Sequence, residues 1–476
     1  MRLSSLGSSI TRALNLRSVT ALALVTALLG PAIASADDSH TRAKSARPRA
    51  DRPNVLIIVT DDQRPDMMQF MPSTNSLFRR KGVRFSRAFA TTPLCCPFRA
   101  SLMTGQYAHN SGIRRQADVM KLRHQHTMQR YLQDAGYTTA LFGKYLNNWP
   151  IESPPPYFSH FAMGTGYRDR QFNVEGSLKT IPKYVPSYLG RRATRLLDEL
   201  EQDDDRPWFM MLTPSTPHLP STPPDRYEDV RLPRWEGNPA TSEEDLTDKP
   251  PMLYPNNSWV GVEAKPRRAL YDKFARSLLG ADDVVAKVME TLRRLDENSD
   301  TLAFFMSDNG YLMGEHGLKL KRLGYPNSME VPLYMRGPKR FVDGVDRDKL
   351  AANIDVLPTV LAATNLKPVE GHVLDGRPLQ GGSRRSRLLI EHFADDRRAV
   401  PTWASLVTEQ EQYTEYYAVD EHTITFREYY DIVTDPWRLT NTLGDDDALN
   451  DPGPLTILEL SEQLEADRTC VGAQCP

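Results

Sequence analysis

Four short apolar runs, each closing on small or polar residues, constrain this chain more than any other feature. Val55-Leu56-Ile57-Ile58-Val59 ends in Thr60-Asp61-Asp62, and Thr138 to Phe142 ends in Gly143-Lys144. Trp208 to Leu212 ends in Thr213-Pro214, and Leu302 to Met306 ends in Ser307-Asp308-Asn309-Gly310. Continuous apolar runs bounded by turn residues suit parallel strands buried on both faces. Helical stretches lie between them. The clearest places Leu270, Phe274, Leu278, Ala281, Val285, Val288, Leu292 and Leu295 on one face, a helical period. The alternation predicts an α/β fold, a large central, mostly parallel sheet sandwiched by helices. Ligands of such sheets bind beyond the carboxyl ends of the strands, where the acids, bases and amides of this chain collect.

The pattern changes near Gly381-Gly382-Ser383-Arg384-Arg385. Short strand-like runs follow at Ala404 to Val407, Tyr413 to Ala418 and Thr423 to Phe426, then a helical stretch from Leu455 to Leu464. Residues 53–382 therefore form the expected large domain and 383–476 a smaller C-terminal α+β domain. Between them, 214–262 is rich in proline and polar residues, and a loop of that length in a compact domain is functional or disordered.

The first 36 residues have the form of a secretory signal. Arg2, Arg12 and Arg17 precede an apolar segment from Val19 to Leu29, and Ala34-Ser35-Ala36 supplies a small-residue cleavage site. The apolar segment is shorter than the ~20 residues a spanning helix needs, so no stable membrane insertion is expected. Residues 37–52 are polar and basic, a disordered leader, and the protein should be secreted or extracytoplasmic. Its formal charge is −2, without the basic excess of a nucleic-acid-binding protein. Export favours a disulfide between Cys470 and Cys475. Cys95 and Cys96 are adjacent; vicinal disulfides are rare, so modification of one member is the better explanation.

Asp61, Asp62, Asp308 and Asn309 close two of the apolar runs. Three carboxylates and an amide oxygen form a hard, all-oxygen set that suits Ca²⁺ or Mg²⁺ rather than zinc. Clustered without a cation, such carboxylates would repel one another and rise in pKa.

Cys95-Cys96-Pro97-Phe98-Arg99, continuing to Thr104-Gly105, reads C-x-P-x-R-x4-T-G. This resembles the signature of the formylglycine-dependent sulfatases of the alkaline phosphatase superfamily. The resemblance runs from about residue 53 to 441. It includes Asn54 to Gln63, Gly314-Glu315-His316-Gly317-Leu318, Asn353-Ile354-Asp355, Leu374-Asp375-Gly376 and Tyr430-Asp431. It implies that a formylglycine-generating enzyme converts Cys95 to formylglycine, whose hydrate is the nucleophile. It implies that Asp61, Asp62, Asp308 and Asn309, together with the modified Cys95, hold Ca²⁺, with Mg²⁺ as the alternative. Arg99 would support the hydrate, Lys144 and Lys321 would bind sulfate, His218 would act on the leaving oxygen, and Asp308 would also serve as base.

Lys144-Tyr145-Leu146-Asn147 departs from the arylsulfatase K-x-H pattern. It is similar instead to the N-acetylglucosamine-6-sulfatase and heparan sulfatase group, as are the Cys95-Cys96 doublet, Tyr107-Ala108-His109-Asn110 and the stretch from Asp245 through Asp248-Lys249-Pro250. Leu146 removes the usual histidine for eliminating sulfate, and His109 is a weak substitute. The resemblance implies hydrolysis of a sulfate monoester on a sulfated small molecule or glycan, with the 214–262 loop shaping the pocket beyond the sulfate. The rival readings are a phosphate or phosphonate ester hydrolase, and an inactive protein that binds sulfated glycans through an unconverted Cys95.

Overall fold

The computed structural model describes residues 52–476 except 81, 203–205, 259–266, 339–345, 382–383 and 396–399. The signal-like segment, almost all of the leader, the 382–383 boundary and the last residues of the proline-rich loop lie outside the described residues.

In chain order the strands are β1 (Asn54–Thr60), β2 (Gly82–Phe89), β3 (Thr138–Gly143), β4 (His160–Met163), β5 (Arg170–Val174), β6 (Ser177–Ile181), β7 (Trp208–Thr213) and β8 (Thr301–Ser307). They continue with β9 (Leu312–Met313), β10 (Lys319–Leu320), β11 (Leu333–Arg336), β12 (Arg347–Ala352), β13 (Arg387–His392), β14 (Trp403–Thr408), β15 (Glu411–Tyr417) and β16 (Ile424–Asp431). Ten of them form one sheet in the order β12-β2-β11-β8-β1-β7-β3-β4-β5-β6. The four apolar runs are its centre. β8, β1, β7 and β3 are adjacent and mutually parallel. Antiparallel neighbours enter at β11 on one side and at the β5–β6 hairpin on the other.

Every residue of β1, β7 and β8 is buried, as strands covered on both faces must be. Alternate side chains feed two apolar clusters. Val55, Ile57 and Val59 join Phe209, Phe304 and the buried helix Cys95–Thr104 on one face. Leu56 and Ile58 join Met210, Phe305 and the helices Val185–Leu200 and Arg268–Arg294 on the other. That last helix carries the predicted apolar face, with Phe274, Leu278, Val285, Val288 and Leu292 buried.

β13 to β16 form a separate antiparallel sheet of four strands, followed by the helix Pro454–Arg468. This smaller sheet shares a third apolar cluster with the large domain, in which Trp403, Tyr413 and Tyr416 meet Phe89, Leu323, Tyr325 and Ile354. Cys470 and Cys475 are disulfide-bonded, and Cys95 and Cys96 are free and buried. Among the described residues no helix is long and apolar enough to cross a membrane.

Candidate active site

Register decides where the acids meet. β1 and β8 run parallel with Thr60 opposite Ser307, so Asp61-Asp62 and Asp308-Asn309 leave the sheet side by side. β3 and β7 run parallel with Gly143 opposite Thr213, which brings Lys144 and the chain leading to His218 to the same edge. Asp61 continues a bridge to Pro217, its N–H donating to Thr216 O at 2.9 Å. Gly143 has φ 122°, and a Cβ there would lie 2.1 Å from Thr213 O. Only glycine allows Lys144 to turn in so close to β7.

Cys95 and Arg99 arrive from the opposite direction, on the first turns of the helix Cys95–Thr104. All ten residues of this helix are buried, so the Cys95 thiol has no exposed surface. Lys321 follows β10 and completes the ring. Its Nζ donates to Asp62 Oδ1 and, at 2.9 Å, to Cys95 Sγ. Lys144 Nζ donates to Asp61 Oδ2 at 2.7 Å. Arg99 donates through Nε to Asp308 Oδ2 at 3.0 Å and through Nη1 to Lys144 O at 2.9 Å. Asp61, Asp62, Cys95, Asp308, Asn309, Arg99, Lys144 and Lys321 are therefore one contiguous cluster.

His218 stands at its rim. Its Nε2 is 3.8 Å from Asp62 Oδ2, and its side chain is 40% exposed. It lines an open cavity of about 450 Å³ together with Asp61, Lys144 and Ser215.

The electrostatics are those of a charge-balanced buried site. Burial pushes Asp61 upward, but Lys144, His218, Arg99 and Lys321 outweigh it and hold its carboxyl well below the usual range. Burial and the neighbouring Asp61 raise Asp308 against the pull of Arg99, Lys144 and Lys321. Burial and Asp308 push the Cys95 thiol up to about 12. An unmodified Cys95 would therefore hold its proton at neutral pH and be a poor nucleophile.

The donor set fits a hard cation. One ligand atom each from Asp61, Asp62, Cys95 and Asp308 lie within 4.8 Å of one another. Asn309 Nδ2 donates to Asp62 Oδ1 at 2.7 Å, while Asn309 Oδ1 is buried without a partner. An orphaned buried carbonyl oxygen beside three carboxylates is what an oxygen-coordinated cation would satisfy.

One expectation is corrected and one is narrowed. His109 is held at Nδ1 by Glu391, at 2.9 Å, and at Nε2 by Cys470 O, at 3.0 Å. Both ring nitrogens are committed to the C-terminal region, and His109 does not join the cluster. The proline-rich loop contributes to the cavity through Ser215, His218, Leu219, Pro220 and Thr222. Its later part is engaged elsewhere. Asn238 Nδ2 donates to Glu315 at 2.9 Å, Glu243 meets His316 at 2.6 Å, and the Asp248 carboxylate accepts from Asn441 N–H at 2.6 Å. The rest of the cavity wall comes from Asp61, Lys144, Asn147 and the segment Thr165–Arg170. Leu146 is a buried core residue packed with Tyr145.

Sequence reasoning missed three participants. Tyr167 Oη donates to His218 O at 2.7 Å and to Ser215 O at 3.1 Å, which fixes the rim loop. Thr213 Oγ1 donates to Lys144 O at 2.7 Å. Arg64, two residues beyond Asp62, forms a wholly buried ion pair with Glu315 at 2.7 Å. None of the three carried a signal of its own; only Arg64's partner Glu315 did, by its place in Gly314-Glu315-His316-Gly317.

Comparison with known proteins agrees with this geometry. Residues 53–366 match the sulfatase family, and 314–466 match the C-terminal region of N-sulphoglucosamine sulphohydrolase. Human N-acetylglucosamine-6-sulfatase is 28% identical over 489 residues, covering 89% of this chain and 86% of the relative. The chain spans 33% and 48% of the length of two invertebrate extracellular sulfatase homologues, from Drosophila melanogaster and Caenorhabditis elegans. A solved protein in complex with its substrate D-glucosamine-2-N,6-O-disulfate superposes with a TM-score of 0.70 at 21% identity, covering 87% of this chain and 97% of that one. A phosphonate monoester hydrolase of Agrobacterium radiobacter superposes with a TM-score of 0.69 at 21% identity, covering 88% and 96%. The fold is thus common to both chemistries. The family match is not confined to the fold: it begins at β1, runs past the Asp308-Asn309 pair and takes in over half the sequence. On that extent this chain belongs to the sulfatase family.

Proposed function

We propose that this chain hydrolyses a sulfate monoester of a sugar to the alcohol and inorganic sulfate. The observation that carries the reading is the place of Cys95. Its thiol lies inside a ring of three carboxylates and is touched by Lys321, yet burial leaves it too weak an acid to act as a thiolate. Conversion of Cys95 to formylglycine would replace sulfur with the oxygens of an aldehyde hydrate and so supply a nucleophile that needs no thiolate. Asp61, Asp62, Asp308 and Asn309, with that hydrate, would hold one divalent cation, calcium on our reading. When bound, the cation would polarise the sulfate and offset charge on the attacking oxygen.

The remaining roles follow from what each side chain touches. Lys144 and Lys321 each have one N–H committed to an aspartate and keep donors for sulfate oxygens. With Arg99 they make a preorganised cationic clamp. Arg99, ion-paired to Asp308 at 2.9 Å, orients that carboxylate toward the nucleophile. Asp308, with a carboxylate oxygen within 4.8 Å of Cys95 Sγ, is the base in this reading. His218, at the rim and partly solvated, is placed to protonate the leaving oxygen. The sugar preference rests on N-acetylglucosamine-6-sulfatase relatives, and export on the extracellular names of others and on the Cys470–Cys475 bridge.

The test is turnover of an aryl sulfate, an aryl phosphate and an aryl phosphonate, with mass analysis of the Cys95 peptide. Sulfate turnover should dominate, and the peptide should show loss of sulfur for oxygen. Faster phosphate or phosphonate turnover would transfer the reading to that ester class. An unconverted Cys95 with no turnover would leave a binding protein.

A further inference from the structure

The open space over the site continues past the ester. The 450 Å³ cavity that contains Asp61 and His218 is walled by Asn147, Thr165 and Arg170. The same three residues wall a second cavity of about 470 Å³, whose far side includes Tyr145, Trp149 and Asp169. Each volume alone falls within the roughly 300–1,000 Å³ of a ligand site. The two share these lining residues and so adjoin one another.

That wall carries a cation with no ionic partner. Arg170 has no carboxylate within ion-pair distance among the described residues, whereas its neighbour Arg168 is paired with Asp225. Arg170 is exposed, and its Cγ, Cδ and Nε lie against Gly166, where a Cβ would come within 2.8 Å of Nε. A guanidinium offers paired donors to a planar or tetrahedral anion. Trp149 adds half-buried ring surface, its indole N–H already donated to Ser153 O at 2.9 Å. An anion and an apolar ring face together describe an acidic sugar.

We propose that the second cavity is a saccharide subsite in which Arg170 binds a second anionic group, a sulfate or a carboxylate, on the sugar adjoining the one whose ester is cleaved. This rests on the sulfatase reading and extends it: the substrate is an oligosaccharide with at least two anions. Asn147 lines both cavities where they adjoin. Arg170 is a specificity-determining residue and takes no part in the ester chemistry.

The test compares wild type with Arg170→Gln on four substrates: an aryl sulfate and three sulfated disaccharides whose second sugar carries a sulfate, a carboxylate or no anion. Arg170→Gln should raise KM about tenfold on one or both anionic disaccharides, with kcat kept. It should leave the aryl sulfate and the neutral disaccharide unchanged. Which anionic substrate suffers identifies the anion. Equal changes on all four substrates, or a wild type indifferent to the second anion, would overturn the proposal while leaving the sulfatase reading intact. Should wild type hydrolyse none of them, titration calorimetry with the Cys95→Ala variant still decides. The anionic disaccharides should bind about tenfold more weakly once Arg170→Gln is added, and unchanged binding would sink the subsite.

Discussion

Among single residues, Cys95 and Cys96 differ in a way their adjacency conceals. Both are buried and both thiols are pushed up to about 12. Only Cys95 touches the cluster, through Lys321 Nζ and Asp61, while Cys96 packs in the core beside Tyr145 and Leu146. Cys95→Ala should abolish aryl sulfate turnover, and Cys96→Ala should retain most of it; the reverse pattern would refute the assignment. Asp308→Ala should lose tightly bound cation and activity together, as measured by elemental analysis alongside turnover. Tight native zinc would contradict the oxygen-donor reading. Away from the site, His392 is buried with neither ring nitrogen bonded. Burial first, then Arg322 and Arg115, pull it down to about 3. An unfolded histidine titrates near 6.5, so between those values the unfolded chain binds the extra proton. His392 therefore opposes acid stability: its contribution is complete above pH 6.5 and is lost toward pH 3, by up to about 1.4 kcal/mol per unit. In His392→Gln the fall in melting temperature between pH 6.5 and 4 should be shallower than in wild type.

At the level of elements, the smaller sheet reaches into the site through one segment. Lys321 sits between Leu320 and Arg322, both left-handed, with φ 74° and 78°. Such conformations cost about 1–3 kcal/mol each in residues with a Cβ and persist only where the surroundings enforce them. The enforcement comes from β14, β15 and β16. Trp403 Nε1 donates to Arg322 O at 2.8 Å, and Gln412 Nε2 donates to Gly324 O at 2.7 Å. Glu428, buried among three tyrosine hydroxyls, accepts from Tyr325 at 2.8 Å. Trp403→Phe keeps the ring packing and removes one of these bonds. It should lower kcat about tenfold, or about 1.4 kcal/mol, with a shift of only a few degrees in melting temperature. In a Lys321→Ala background the same change should cost far less; an undiminished cost would mean that the sheet acts elsewhere. The central strands were legible in the sequence because burial on both faces makes them continuous apolar runs. Other strands were not: the edge strand β6 exposes four of its five residues, and β11, between β2 and β8, has only four. Ser-Asp-Asn-Gly and Asp-Asp were legible as an acidic cluster once both fell at strand ends. Arg170 carried no pattern, because its meaning depends on a wall assembled by folding.

For the molecule as a whole, the proline-rich connection is a strap between the two sheets. Lys249 is buried between Glu243 and Asp248, at 3.0 and 2.8 Å, and donates to Leu439 O at 2.6 Å. Asn441 closes the link by donating to Asp248 O at 2.9 Å. Removing one partner from a buried ion pair costs about 3–5 kcal/mol. Lys249→Ala should lower stability by that order in urea unfolding, with substrate preference unchanged. A changed preference with stability intact would restore this part of the loop to the pocket.

The helix Cys95–Thr104 has no solvent-exposed side, and on the function proposed above that would impose a sequence of events on biosynthesis. An enzyme that oxidises Cys95 cannot reach it once β1, β8 and Lys321 have closed around it. The window for that chemistry is the interval between emergence of the segment and completion of the large sheet, whose β8 and β12 are made some two hundred residues later. A protein that folds unconverted is sealed in that form. Adding the converting enzyme afterwards should restore no turnover unless the chain is first unfolded.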